Sequence, residues 1–308
     1  MLVPPSALGK LPTFFRAHCG FSMRVLLMAA SLLPGLVAFA PGLAAQPSRT
    51  ELALFQERTI FHSGLPRAHT IALTFDDGPN TNTAGVLDAL KAMNIKATFF
   101  VVGSQARRNP QLLARIAAEG HLLENHSASH AQLTERHDRN PQLLLDEIRG
   151  VDELIAPWMS PGDKLYFRAP YGYWKSQHAG ILNSDARLRK YVGPIYWDVG
   201  GQISMSRDGY VMAAADWDCW RIGWKPQTCA KGYLRELRRK DGGVVLMHSI
   251  HRNSEALVRA VVPALIEEGY SFVRLDQMPE YRQYETAPSG GTASAATLEK
   301  LARLDTVK

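Results

Sequence analysis

Four polar clusters in this 308-residue chain have residue types and spacing that suit hydrolytic chemistry. The first is Thr74-Phe75-Asp76-Asp77-Gly78-Pro79, an apolar run ending in two carboxylates and a turn. Adjacent acids repel and are costly to desolvate unless a cation or base offsets them. Successive side chains of a strand point to opposite faces, so Asp76 and Asp77 reach one site only if the chain bends, and Gly78-Pro79 supplies a bend. Taken alone, the pair also reads as a solvated turn. The second cluster is His126-Ser127-Ala128-Ser129-His130. Histidines at i and i+4 face the same way on a helical turn and can bind one metal, although two surface histidines would look the same. Adding an aspartate gives a His₂-carboxylate set, which leaves a position open for water on a catalytic zinc.

The third cluster is Arg168-Ala169-Pro170-Tyr171-Gly172. A guanidinium here can hold a catalytic carboxylate ionised and correctly oriented; the plain alternative is a surface arginine beside a turn. The fourth is Leu246-Met247-His248, where His248 ends the apolar run 243–247. A group that titrates near neutral pH suits general-acid work there, against the competing reading of a buried structural histidine.

Placing these clusters together falls to the elements around them. From residue 69 onward, strand-like runs at 70–75, 97–102, 121–125, 165–168, 194–199, 243–248 and 271–275 alternate with helical patterns. The helical patterns cover 82–93, 110–119, 140–156, 229–240 and 253–268, and the second and third open on Asn-Pro, which favours a helix start. Such alternation predicts a parallel sheet wrapped by helices, and leaves both a barrel and a doubly wound sheet open. Each cluster lies at the C-terminal end of a predicted strand, the edge where active sites gather in parallel α/β folds. The stretch 171–220 is aromatic, Gly-rich and weakly periodic, and reads as loop-dominated.

Composition bounds the reading. Hydrophobic residues make up 46% and charged residues 21%, which excludes collagen-like, coiled-coil and disulfide-scaffold chains. The +6 charge is partly located in a leader: residues 1–45 hold Lys10, Arg16 and Arg24, no acid, and, after Arg24, an apolar run through Ala40. This pattern predicts a signal peptide, with Met23 as an alternative start, and export to the periplasm or medium. An uncleaved leader would be the chain's one contact with a membrane. Without those three residues, 32 bases face 29 acids, a balance near +3 that gives no support to nucleic-acid binding. Cys219 and Cys229 remain as a pair, which in an oxidising compartment forms one disulfide or else stays as two buried thiols. Residues 46–68 are read as a lead-in, 69–280 as a single catalytic domain and 281–308 as a flexible tail.

In their order and spacing, these motifs resemble the polysaccharide deacetylases of carbohydrate esterase family 4, over about residues 69–275. The resemblance implies an α/β fold with a distorted (β/α)₇ barrel and metal-assisted hydrolysis of N-acetyl groups on an acetylated polysaccharide or oligosaccharide. It implies that Asp77, His126 and His130 hold a divalent metal, zinc fitting best and cobalt or another transition metal being tolerated. Asp76 would be the base, Arg168 would steady it, His248 would be the general acid, and the Tyr171 backbone N–H would help stabilise the oxyanion. The chain departs from the family pattern at Trp197-Asp198-Val199-Gly200-Gly201, with Asp216-Trp217 following only after an apparent insertion. Either Asp198 or Asp216 is therefore the carboxylate that tunes His248. Ser249 also stands where the family often has an aspartate. Trp217, Trp220 and Trp224 lie near the expected barrel mouth, as sugar-stacking surfaces or as a local core. O-deacetylation and silent carbohydrate binding are the competing functions, and the sequence does not indicate an oligomeric state.

Overall fold

The computed structural model describes residues 55–60, 68–159 and 165–281. The expected leader, most of the lead-in and residues 282–308 lie outside the described residues. In chain order the elements begin with β1 (Phe55–Ile60), β2 (Thr70–Asp76), α1 (Thr83–Ala92), β3 (Thr98–Val101), α2 (Gly103–Arg108), α3 (Pro110–Ala118) and β4 (Leu122–Asn125). They continue with α4 (Glu135–Arg139), α5 (Pro141–Ile155), β5 (Leu165–Tyr166), α6 (Ser176–Ser184), β6 (Tyr191–Ile195), β7 (Ser204–Met205) and β8 (Val211–Ala213). The last are α7 (Asp216–Arg221), α8 (Pro226–Lys240), β9 (Gly242–His248), α9 (Ser254–Glu267) and β10 (Ser271–Val273).

Parallel pairing runs from β9 through β2 and β3 to β4, and from β5 to β6. Two single bridges close the ring, Asn125 to Phe167 and Val199 to Val245. They are fastened by the Arg168 N–H donating to Asn125 O at 3.0 Å and the Leu246 N–H donating to Val199 O at 2.9 Å. The result is a single α/β domain with a distorted (β/α)₇-type barrel. Weak closure at two seams is the distortion, since a full ladder there would need longer strands. β10 shares an edge of β2 with β3, pairing with residues 70–72 while β3 pairs with Thr74 and Phe75.

β2 is the central strand, and residues 71–76 are all buried because it has neighbours on both sides and helices outside. This explains its unbroken apolar run. β9 follows α8 through Asp241, which takes φ 59° and ends the helix in a left-handed turn. Gly242 follows at φ 113°, with β2 so close that an added Cβ would meet Thr70 O at 2.2 Å. Only glycine fits there.

The sequence reading placed no element at the short helices α2 and α4, and it differs from this fold in three further places. β1, parallel to β6, lies inside the expected lead-in, where Gln56-Glu57-Arg58 carries no period-two apolar signal. β6 begins at Tyr191 rather than 194. Pro194 is tolerated inside it because the neighbouring strand uses Val192 O and the Ile195 N–H on either side. The stretch expected to be loop-dominated contains α6, α7 and the antiparallel β7–β8 pair. Among the described residues no helix is long and apolar enough to cross a membrane.

Candidate active site

The ends of β2, β4, β5 and β9 open onto a cleft of about 510 Å³ lined by Asp76, Asp77, His126, His130 and His248. Asp76 closes β2, and the bend expected at Gly78-Pro79 occurs one residue earlier, with Asp77 at φ 71°. That left-handed residue turns both carboxylates to one side. Ser127, His130 and Tyr171 also have positive φ, at 68°, 59° and 59°. Non-glycine residues in this region cost on the order of 1–3 kcal/mol each, and they collect where surrounding structure enforces a functional geometry.

His126 and His130 do not share a helical turn as their spacing suggested. The segment between them is irregular, and the two rings meet, centroids 5.0 Å apart, through these left-handed residues. The His126 Nδ1–H donates to Arg168 O at 2.8 Å, which orients the ring with Nε2 facing the cleft. Asp77 Oδ1 lies 3.4 Å from His126 Nε2 and 3.0 Å from His130 Nε2. Despite this proximity it is buried without an aligned hydrogen bond. One donor atom from each of the three residues lies within 4.8 Å of the others. Lone pairs that converge on a common point instead of on one another suit a dication, so the residues fit a divalent metal.

Arg168 is fully buried and braces Asp76 from beneath. Its Nη1 donates to Asp76 Oδ1 at 2.7 Å and to Thr74 Oγ1 at 2.8 Å. Nη2 donates to Tyr196 O at 3.3 Å, and the guanidinium lies 4.2 Å from the Phe100 ring centroid. These contacts direct Asp76 Oδ2 towards the cleft, 3.6 Å from His126 Nε2.

Asp216, and not Asp198, is the carboxylate on His248. Asp216 Oδ1 lies 2.8 Å from His248 Nδ1, and Oδ2 accepts the His248 backbone N–H at 2.7 Å. Asp198 Oδ2 instead accepts the Val244 backbone N–H at 2.8 Å, four residues earlier on the same strand. Its place among the candidate catalytic residues is therefore withdrawn. The inserted β7–β8 pair and α7 carry Asp216 back across the barrel mouth, where the Tyr233 hydroxyl accepts its backbone N–H at 3.0 Å. Burial alone would lower the His248 pKa, but Asp216 reverses this and raises it to about 9. His248 is then protonated at neutral pH and presents Nε2–H to the cleft.

Tyr171 sits at the rim with its ring 4.7 Å from that of His130. Tyr196 and Trp197 stack at 4.0 Å and form one wall, and the exposed Trp217 belongs to another. The sequence reading assigned no role to Tyr196 or His251. His251 lies three residues beyond His248, and its ring is 6.0 Å from it. That i, i+3 spacing was the available signal. The Cys219–Cys229 disulfide joins α7 to α8 with Cα atoms 5.9 Å apart.

Residues 64–186 match the polysaccharide deacetylase family. Among curated proteins, the chain is 33% identical over 222 residues to the peptidoglycan-N-acetylglucosamine deacetylase PgdA of Listeria monocytogenes, covering 70% of this chain and 40% of that one. It spans about two fifths of that relative's length. It is 30% identical to the peptidoglycan-N-acetylmuramic acid deacetylase PdaA of Bacillus subtilis, covering 73% of this chain and 77% of that one. Among solved structures, peptidoglycan deacetylase PdaC from Bacillus subtilis superposes with a TM-score of 0.53 and 28% identity, covering 71% of this chain and 93% of that one.

Proposed function

We propose, for a chain that belongs to the polysaccharide deacetylase family, that it is an exported, metal-dependent N-deacetylase of an acetylated amino-sugar polymer, of the peptidoglycan, chitin or exopolysaccharide type. One observation carries the reading. Three convergent ligands, Asp77, His126 and His130, share a cleft with a braced carboxylate, Asp76, and with a carboxylate-paired imidazole, His248.

Asp77, His126 and His130 would hold the metal, with zinc suiting their donor set best. When bound, a divalent ion polarises a carbonyl and acidifies water. Asp76, fixed through Oδ1 by Arg168, has Oδ2 free to take a proton from the attacking water. The Tyr171 backbone N–H contributes to the electrostatic stabilisation of the oxyanion. His248, charged through Asp216, delivers Nε2–H to the departing amine, which without a proton is too poor a leaving group. Acetate and a free amino sugar result. The apolar leader and the Cys219–Cys229 disulfide support export.

Acetate release and free-amine formation should be measured on a panel of acetylated glycans, before and after chelation and again after zinc is restored. Equal yields of acetate and amine are expected from the metal-loaded protein. Acetate without amine would replace this reading with O-deacetylation. No acetate on any glycan, with metal bound, would leave carbohydrate binding as the function.

A further inference from the structure

A second cleft, of about 480 Å³, adjoins the catalytic one, and Trp220, Trp224, Ile250, His251 and Arg252 line it. His251 lines both clefts. We infer that the second cleft is a glycan subsite for a sugar bearing a carboxylate. This rests on the deacetylase reading for its position next to a reacting acetamide, and adds what the neighbouring sugar must carry.

α7 places Trp217 in the catalytic cleft and Trp220, one turn later, in the second. Trp224 follows, and its backbone N–H donates to Cys219 O at 2.8 Å. The disulfide between the buried Cys219 and Cys229 ties this turn to α8. Both indoles are half-buried, each packed on one side against the main core. Ordering indoles that are already held costs little on binding, and their faces suit the C–H side of a pyranose.

Arg252 is exposed, and no carboxylate pairs with it among the described residues. Arg221, its counterpart on α7, is already engaged by Asp218 at 2.6 Å. No acidic side chain lines the second cleft, whereas Asp76 and Asp77 line the first. A substrate carboxylate entering the second cleft therefore meets no acid on its lining and is attracted to Arg252, whose planar fork suits a carboxylate. A chain lying across His251 would have its acetamide between Asp76 and His248 and its acidic sugar on the Trp224 side.

The test uses matched N-acetylated oligomers. One carries a muramic-type lactyl carboxylate and another a uronic carboxylate, and each is compared with its own methyl ester. With the metal-loaded protein, at least one acid form should have a KM roughly fivefold below that of its ester with little change in kcat, as one partly exposed charged hydrogen bond allows. Whichever acid shows the preference identifies the source of the carboxylate. In Arg252→Ala the acid-to-ester ratio should fall to about one, and Arg252→Lys should retain part of it. Acid and ester forms that behave alike for both sugars, or a preference that survives Arg252→Ala, would overturn the subsite. Calorimetric titration of the same oligomers separates this from failure of the enzymatic reading. Carboxylate-dependent affinity lost in Arg252→Ala upholds the subsite even when no acetate is released, and it is then the deacetylase reading that falls.

Discussion

Asp216 takes two hydrogen bonds from His248, one from the ring at 2.8 Å and one from the backbone N–H at 2.7 Å. One buried carboxylate thus sets both the charge of the imidazole and its position relative to its own strand. A ring held in this way cannot turn without breaking the bond that keeps it protonated.

Asp216→Asn should lower the alkaline limb of the pH–rate profile. The His248 pKa is raised to about 9 by Asp216 against the effect of burial, so losing the charge lets burial dominate and the acid form disappears at a lower pH. Turnover at pH 8 should fall on the order of 10²-fold or more. Asp198→Asn should alter thermal stability without moving that limb, because Asp198 bonds to Val244. An unmoved limb in Asp216→Asn would remove His248 from the role of acid.

Asp76→Asn should cost on the order of 10²–10⁴ in turnover while metal content stays the same. Arg168→Ala should cost about 3–5 kcal/mol of stability as well as activity, since it leaves Asp76 buried without its partner. Urea unfolding followed by circular dichroism measures the second effect.

Metal content should depend on the three convergent ligands. Asp77→Asn or His130→Ala should weaken zinc affinity by more than the roughly 10- to 100-fold that loss of a mere outer partner of a ligand brings, read by competition with a chromophoric chelator. The Arg252→Ala protein should bind as wild type does. Equal zinc binding by all of these variants would dismiss the site.

Stability should fall in mild acid through His121. Burial pushes its pKa down to about 3, aided by Lys96, Arg115 and Arg274, and its Nδ1 accepts the Ala97 N–H at 2.9 Å. Glu119 lies 3.9 Å away, too far to reverse this. The unfolded chain takes up a proton near pH 6.5 and the folded one does not, so this contribution is complete above about 6.5 and is lost progressively towards about 3. Melting temperatures between pH 7 and 4 should show the loss, and His121→Gln should flatten the slope. An unchanged slope would assign the acid sensitivity to other groups.

Much of this site was legible in the residues themselves. Two carboxylates after an apolar strand, paired histidines, and an arginine and a histidine at later strand ends are costly placements that only a shared site justifies. The alternation of apolar runs indicated the parallel sheet. The short strand β1 and the helices α2, α4, α6 and α7 were not legible, because their apolar positions are too few to show a period and tertiary contacts define them. The His126–His130 geometry was misread for a related reason. Spacing implies a helix only while φ stays negative, and two left-handed residues broke that assumption.

The chain alone determined which groups could do the chemistry and the fold class that gathers them, because residue type and hydrophobic period are local properties. Three relationships were decided only in three dimensions: Asp216 rather than Asp198 on His248, the two clefts meeting at His251, and the indoles held by the disulfide. Each depends on how an insertion without regular period folds back over the barrel mouth, and hydrogen-bond geometry and close packing set that path.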